Sequence, residues 1–285
     1  MTSCLRLIPR LDIKGPNLVK GIHLEGLRVL GKPEDFAEYY YGQGADELLY
    51  MDVVASLYGR NSLDDLISKT ARSIFIPLTV GGGIRTIADI KRILRAGADK
   101  VAINTAAIKR PDFISEAANV FGSSTIVLSI EASKQSNGNY LAFTDNGREH
   151  TDKEVISWAR EAAELGAGEL IITSIDKEGT GLGFDIDLMK KINQQVTIPV
   201  IAGGGMGKKA DLLDLLNASK VEAISLASVL HYAFIKNKKV NRKDFTTEGN
   251  VDFIKSGQKF HNLELLTIPK IKRFLSQSGF LCRQS

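Results

Sequence analysis

Residues 78–104 read LTVGGGIRTIADIKRILRAGADKVAIN, and residues 198–227 read IPVIAGGGMGKKADLLDLLNASKVEAISLA. Both run from an apolar segment through three glycines into an amphipathic stretch and a second apolar segment. The apolar segments show no in–out alternation, which is the pattern of parallel strands buried on both faces. The stretch between them has a helical period. In TIADIKRILRAG, Thr86 stands as an N-cap, Ile87, Ile90, Ile93 and Leu94 form one stripe, and Gly97 ends the helix. The two segments are copies of one strand–turn–helix–strand unit, about 120 residues apart.

The repeat extends outward. GADELLYMDV (44–53) matches GAGELIITSI (166–175), and LIPRLDIK (7–14) matches IVLSIEAS (126–133), in the same order. Apolar runs at 5–9, 47–54, 74–80, 100–104, 124–130, 169–175, 198–202 and 222–227 alternate with amphipathic stretches, and a last helix is expected at 268–279. The expectation is an α/β protein, a (β/α)8 TIM barrel built from two similar half-barrels. It would be a single domain over 1–285, with long connections at 132–152 and an insertion at about 232–266 before the last helix.

Composition agrees with a globular chain: 44% hydrophobic and 25% charged residues exclude a disordered tail or a collagen-like repeat. The net charge of +4 is too mild to argue for nucleic acid, and KNKKVNRK (236–243) carries much of it, as a solvated basic loop would. Cys4 and Cys282 have neither disulfide-framework nor metal-ligand spacing. With no signal peptide and no apolar run of about 20 residues, a cytoplasmic protein is expected, without membrane, metal or cofactor.

In such a barrel the chemistry sits where the strands end. The two glycine turns are candidate phosphate cradles, since glycine lets backbone N–H groups approach an anion and each turn leads into a helix N-terminus. Gly82 and Gly83 belong to one candidate site and Gly204 and Gly205 to the other, and Asn104–Thr105 and Gly179–Thr180 would add donors to one site each; Ser228 follows the last strand at the same mouth. Their facing arrangement suits a substrate phosphorylated at both ends. Asp12 and Glu131 hold equivalent places in the two halves and are candidates to divide acid and base work. Lys20 lies in a long glycine-containing connection, 14–32, which reads as a lid. Arg6, Glu47, Lys100 and Glu169 begin strands at the opposite mouth, where such charges usually tie strands together.

The motifs IPRLDIK, LVKGIHLEGLR, TVGGGIRT, GADKVAINTAA, GAGELIITSIDKEGTGLGFD, IPVIAGGGMGK and SLASVLH together resemble the HisF family, cyclase subunits of imidazole glycerol phosphate synthase. The resemblance implies a barrel that takes ammonia from a HisH-like glutaminase subunit. It would use it to split and cyclise a bis-phosphorylated ribonucleotide, PRFAR, into imidazole glycerol phosphate and AICAR. It assigns Asp12 and Glu131 to catalysis, Lys20 to a loop over the site, Gly82, Asn104 and Thr105 to one phosphate site and Gly179, Gly204 and Ser228 to the other, and Arg6, Glu47, Lys100 and Glu169 to an ammonia gate. Asp99 then faces the partner. The intact gate and INTAA favour this family over its isomerase sister, HisA.

Three features depart from the family pattern: Glu131 where a second aspartate is usual, Val29 and Lys32 where acidic residues are usual, and the insertion at 232–266. They motivate an alternative. HisF-like paralogues, with a HisH-like partner, supply ammonia for amidation of a surface sugar by a separate sugar amidotransferase.

Overall fold

Runs that are apolar on both faces bury themselves in a parallel sheet covered on each side, and here the sheet closes on itself. The computed structural model describes residues 4–55, 63–237 and 263–283. Its strands are β1 (Arg6–Lys14), β2 (Asn17–Ile22), β3 (Glu25–Gly31), β4 (Leu48–Asp52), β5 (Leu78–Gly81), β6 (Lys100–Ile103), β7 (Ile126–Lys134), β8 (Tyr140–Thr144), β9 (Glu149–Glu154), β10 (Glu169–Ser174), β11 (Val200–Gly203) and β12 (Ala223–Leu226). The parallel order β1-β4-β5-β6-β7-β10-β11-β12 returns to β1 through Arg6↔Ala223 and is the predicted (β/α)8 barrel.

The helices are α1 (Pro33–Gly42), α2 (Asp64–Ser73), α3 (Ile87–Ala96), α4 (Thr105–Lys109), α5 (Asp112–Phe121), α6 (Val155–Glu164), α7 (Ile186–Asn193), α8 (Ala210–Ala218), α9 (Ser228–Asn237) and α10 (Ile268–Gln277). Strand alternation divides the core into two. In β1, Leu7, Leu11 and Ile13 face the helix layer, while Ile8 joins Leu49, Ala102, Val127, Ile171, Ile201 and Ala223 inside the barrel. Arg6, Arg10 and Asp12 share the inward parity of Ile8.

The connections at 14–32 and 132–152 hold antiparallel hairpins, β2–β3 and β8–β9, each continuing the strand before it. Both turn through two positive-φ residues, His23–Leu24 and Asp145–Asn146, the geometry that suits the twist of a hairpin. Asn146 Nδ2 donates to the Leu24 carbonyl at 3.2 Å, so the two tips meet over the mouth.

At the other end of the barrel, Leu5 pairs with Cys282, and Leu5 N donates to the Leu281 carbonyl at 2.8 Å. Cys4 and Cys282 are free thiols. Of the insertion, 232–237 continues α9, and Leu266 returns buried against Val229, its N–H on the Val229 carbonyl at 3.1 Å. Residues 238–262, with most of KNKKVNRK, lie outside the described residues. No helix among the described residues is long and apolar enough to cross a membrane.

Candidate active site

Asp12 on β1 and Glu131 on β7 stand on the first and fifth of the eight barrel strands, so they face one another across the mouth, 3% and 4% exposed. Their partners differ. Asp12 Oδ1 accepts from Arg10 Nε at 2.8 Å in a buried ion pair. Glu131 Oε2 accepts from Gly147 N at 2.8 Å and from Asn104 Nδ2 at 3.2 Å, both neutral donors. Burial pushes the Glu131 carboxyl up to about 7, and Asp12 and Asp145 add to the rise, against the pull of Arg10 and the Gly147 N–H. A carboxyl poised near neutrality can give or take a proton at working pH.

The first glycine turn opens on a cavity of about 150 Å³, lined by Gly82, Gly83, Asn104, Thr105 and Lys109, with Glu131 in its wall. Asp52 and Arg85 also line it. Gly82, at φ 103°, turns directly on strand β4: a Cβ there would lie 2.4 Å from the Asp52 carbonyl oxygen. The second turn borders a narrower cavity lined by Gly179, Gly204, Gly205 and Ser228, together with Arg10 and Glu178. Both groups of predicted residues thus come together, except Thr180, which is not in that lining. Its hydroxyl donates to the Lys177 carbonyl at 2.7 Å and closes its own turn.

The helix termini depart from the sequence reading. Those that follow the glycine turns are sealed by carboxylates of their own. Asp89 Oδ2 accepts from Arg85 N and Thr86 N in a capping box at α3, and Asp211 Oδ2 accepts from Gly207 N and Lys208 N at α8. The first turns that line the cavities belong to the next helices, α4 at Asn104–Ala106 and α9 at Ser228–Val229. An anion would sit between the glycine turn of one βα unit and the helix start of the following one, as phosphates do in TIM barrels.

Lys20 lies in strand β2 and not in a loop. It is 2% exposed and makes a buried ion pair with Glu178. His23 N donates to the Glu178 carbonyl at 2.8 Å, which fixes the hairpin to the 175–180 turn. What reads as a lid is a hydrogen-bonded roof. At the opposite mouth, Arg6 bridges Glu47 (2.9 Å) and Glu169, and Lys100 bridges Glu47 (3.1 Å) and Glu169 (3.0 Å). The four charges form one closed ring across the barrel axis. Beside it, Asp99 Oδ2 accepts from Leu78 N at 2.8 Å, as Asp46 does from Leu7 N and Glu222 from Val200 N. Each of these acids takes an N–H at the start of a neighbouring strand, the first of β5 and of β11 and the second of β1, and Asp99 remains exposed.

Comparison with known proteins agrees with this geometry. A family model described as "Histidine biosynthesis protein" matches residues 6–236. A Legionella pneumophila protein named imidazole glycerol phosphate synthase subunit HisF is 61% identical over 206 residues, covering 72% of this chain and 97% of its own. The chain belongs to the HisF family. Proteins of the same name from Halalkalibacterium halodurans and Geobacillus thermodenitrificans are 46% and 45% identical over 228 residues, 80% of this chain and 90% of theirs. None of these names speaks for the surface-sugar alternative.

Within this HisF-family site, sequence reasoning missed Arg10 and Glu178. Arg10 carried a signal: it is a charge on the inward parity of a strand that, after Arg6 at its start, is otherwise apolar up to Asp12. Glu178 carried none, because only the fold brings it to Lys20, 158 positions away. Among the described residues no group of His, Cys, Asp and Glu is placed to hold a metal ion.

Proposed function

We propose that this chain is the cyclase subunit of imidazole glycerol phosphate synthase, a lyase-type enzyme of histidine biosynthesis working in the cytoplasm. It would use ammonia to convert PRFAR to imidazole glycerol phosphate and AICAR. The observation that carries the reading is the placement of two buried, opposed carboxylates between two glycine-turn cavities. A ribonucleotide with a phosphate at each end would lie across the mouth. Gly82, Gly83 and the Asn104–Thr105 turn would hold one phosphate; Gly179, Gly204, Gly205 and Ser228 would hold the other. Its reacting centre then falls between Asp12 and Glu131, where addition of ammonia, bond cleavage and ring closure each need a proton moved. Lys20, paired with Glu178 beneath the roof, would complete the charge balance on that side.

The nitrogen would come from a HisH-like glutaminase subunit on the opposite face. The exposed Phe75, Val120 and Leu281 lie near the starts of β5, β7 and β1 on that face. With exposed Asp99 at the start of β6, they would offer apolar contacts for a partner on the face that carries the ring of Arg6, Glu47, Lys100 and Glu169. Ammonia released there would pass the ring and travel up the apolar barrel interior. The test is a turnover assay with PRFAR and ammonium salt, followed by rescue of a cyclase-deficient, histidine-requiring host. AICAR formation and growth are expected. Absence of both would overturn the reaction and leave ammonia supply to a sugar amidotransferase as the role of this barrel.

A further inference from the structure

Arg10 runs across the barrel interior. It is 4% exposed and sits on the inward parity of β1, between Ile8 and Asp12. While Nε holds Asp12, Nη1 reaches Thr173 Oγ1 at 2.9 Å on β10, three strands round the barrel by way of β12 and β11. Nη2 is buried without a partner. Burial opposes its charge, but Asp12, Glu178 and Glu131 more than offset this, so its pKa is raised. A guanidinium stays protonated at any relevant pH.

The charged groups facing this centre come from every neighbouring element. They are Asp12 on β1, Glu131 on β7, Glu178 after β10 with its partner Lys20 on β2, and Asp52, Arg85 and Lys109, which line the same cavity as Glu131. Asp145, in the β8–β9 turn, acts on Glu131, and His231 on α9 is buried beside Lys20 and held neutral by that burial. One guanidinium lies among three carboxylates, and of these only Asp12 takes a hydrogen bond from it. The half-barrel repeat explains why: LIPRLDIK aligned on IVLSIEAS sets Arg10 opposite Ser129 and Asp12 opposite Glu131. One half brings a cation to its carboxylate, and the other brings a hydroxyl.

We infer that Arg10 is a positioning residue that gives the two carboxylates unlike roles, orienting Asp12 as the proton-accepting group and leaving Glu131 as the proton-donating one. This deepens the cyclase reading and rests on it for the reaction. The tether to Thr173 fixes the guanidinium at both ends, so Asp12 is held in orientation. The titration of Glu131 near neutrality agrees with a carboxyl left to neutral donors.

Two readouts test this. The first needs no substrate: carboxyl-labelled glutamate NMR, with Glu131 assigned through E131Q, titrated in wild type, Arg10→Lys and Arg10→Gln. Removing the cation should raise the Glu131 midpoint by more than about half a pH unit, while lysine should hold it near the wild-type value. The second is turnover of PRFAR with ammonium, taken as variant-to-wild-type ratios at each pH so that the ammonia fraction cancels. Arg10→Gln should lose about tenfold or more in kcat at neutral pH with KM little changed, and its ratio should climb with pH. A purely structural role would lower the ratio equally at every pH. If Arg10→Gln does not fold, Asp12→Asn and Asp12→Asn/Arg10→Gln together supply the NMR readout: the double variant removes the cation from a protein that already lacks its partner charge, and its Glu131 midpoint should lie above that of Asp12→Asn by more than about half a pH unit. An unmoved midpoint, or a flat ratio with an active wild type, overturns the proposal. A wild-type protein that makes no AICAR overturns the reaction instead, and the charge assignment is then decided by the titration alone.

Discussion

Glu131 gives the sharpest stability prediction. Its carboxyl titrates at about 7 in the fold against 4.5 ordinarily, chiefly because it is buried. At about 1.4 kcal/mol per pH unit, the folded chain prefers the protonated form by about 3 kcal/mol more than the unfolded chain does. The folded pKa is raised, so this stabilisation is fully present below about pH 4.5 and is lost as pH rises through about 7. Glu131→Gln keeps the shape and an oxygen for Gly147 N and cannot ionise. Near pH 4.5 the two proteins should differ only by a constant. By pH 8 the variant should have gained about 3 kcal/mol on wild type, a shift of about 1 M in urea midpoint for an m-value of about 3 kcal/mol/M. Urea unfolding of both proteins from pH 4.5 to 8 measures it. A gap that stays constant, or that moves toward wild type as pH rises, would refute the argument, because Glu131 would then be as easily ionised inside the barrel as outside.

Three further outcomes follow from the same contacts. Lys20→Met should cost about 3–5 kcal/mol by stranding the buried Glu178, and adding Glu178→Gln should recover much of it, a non-additivity that a double-mutant cycle in urea would reveal. Gly205→Ala should cost more than about 2 kcal/mol and distort the second cavity, since φ is 105° and a Cβ would lie 2.1 Å from the Gly183 carbonyl oxygen; Gly15→Ala, at φ 58° with open space around it, should cost about 1 kcal/mol. Asp211→Ala should cost about 1–2 kcal/mol by uncapping the turn before α8, read as a lower midpoint with an unchanged m-value.

How much was legible depended on whether a residue's task is local. Parallel strands announce themselves through runs such as ELIITSI, and a helix through the Thr86 stripe, because burial and capping act over a few residues. The pairing of LIPRLDIK with IVLSIEAS located Asp12 and Glu131 across the mouth by symmetry alone. The hairpins were harder. Asp145–Asn146–Gly147 is a recognisable turn sequence, but His23–Leu24 is not, and its positive φ values are held by contacts to Glu178 and Asn146 far along the chain. Asp89 and Asp211 sit in the first turns of α3 and α8, where their carboxylates take the N–H groups of Arg85, Thr86, Gly207 and Lys208 ahead of those helices. Arg10 is the opposite case: catalytic residues of a barrel are expected after each apolar run, and Arg10 acts from inside one.

The pseudo-symmetry and its breaking serve different ends. On the proposed reading, a substrate with a phosphate at each end would be served by two equivalent cradles, and a duplicated half-barrel offers the parts for them: two glycine turns, two following helix starts, two roofing hairpins. The reaction between the phosphates has a direction, since one atom must lose a proton and another must gain one. Two identical carboxylates at equal distance from one cation would share its charge and neither would be committed. The repeat is broken where this matters, with Arg10 against Ser129 one layer below the carboxylates, and Asp12 against the longer Glu131. The extra methylene carries the Glu131 carboxylate away from the strand toward Asn104 and Gly147, out of the hydrogen-bonding reach of the guanidinium that Thr173 holds on the Asp12 side. On this argument Glu131→Asp would not restore an ordinary family site. With Arg10 still in place it would shorten the reach to Asn104 and Gly147 and lower kcat, and only together with Arg10→Ser would it return the two halves to like surroundings.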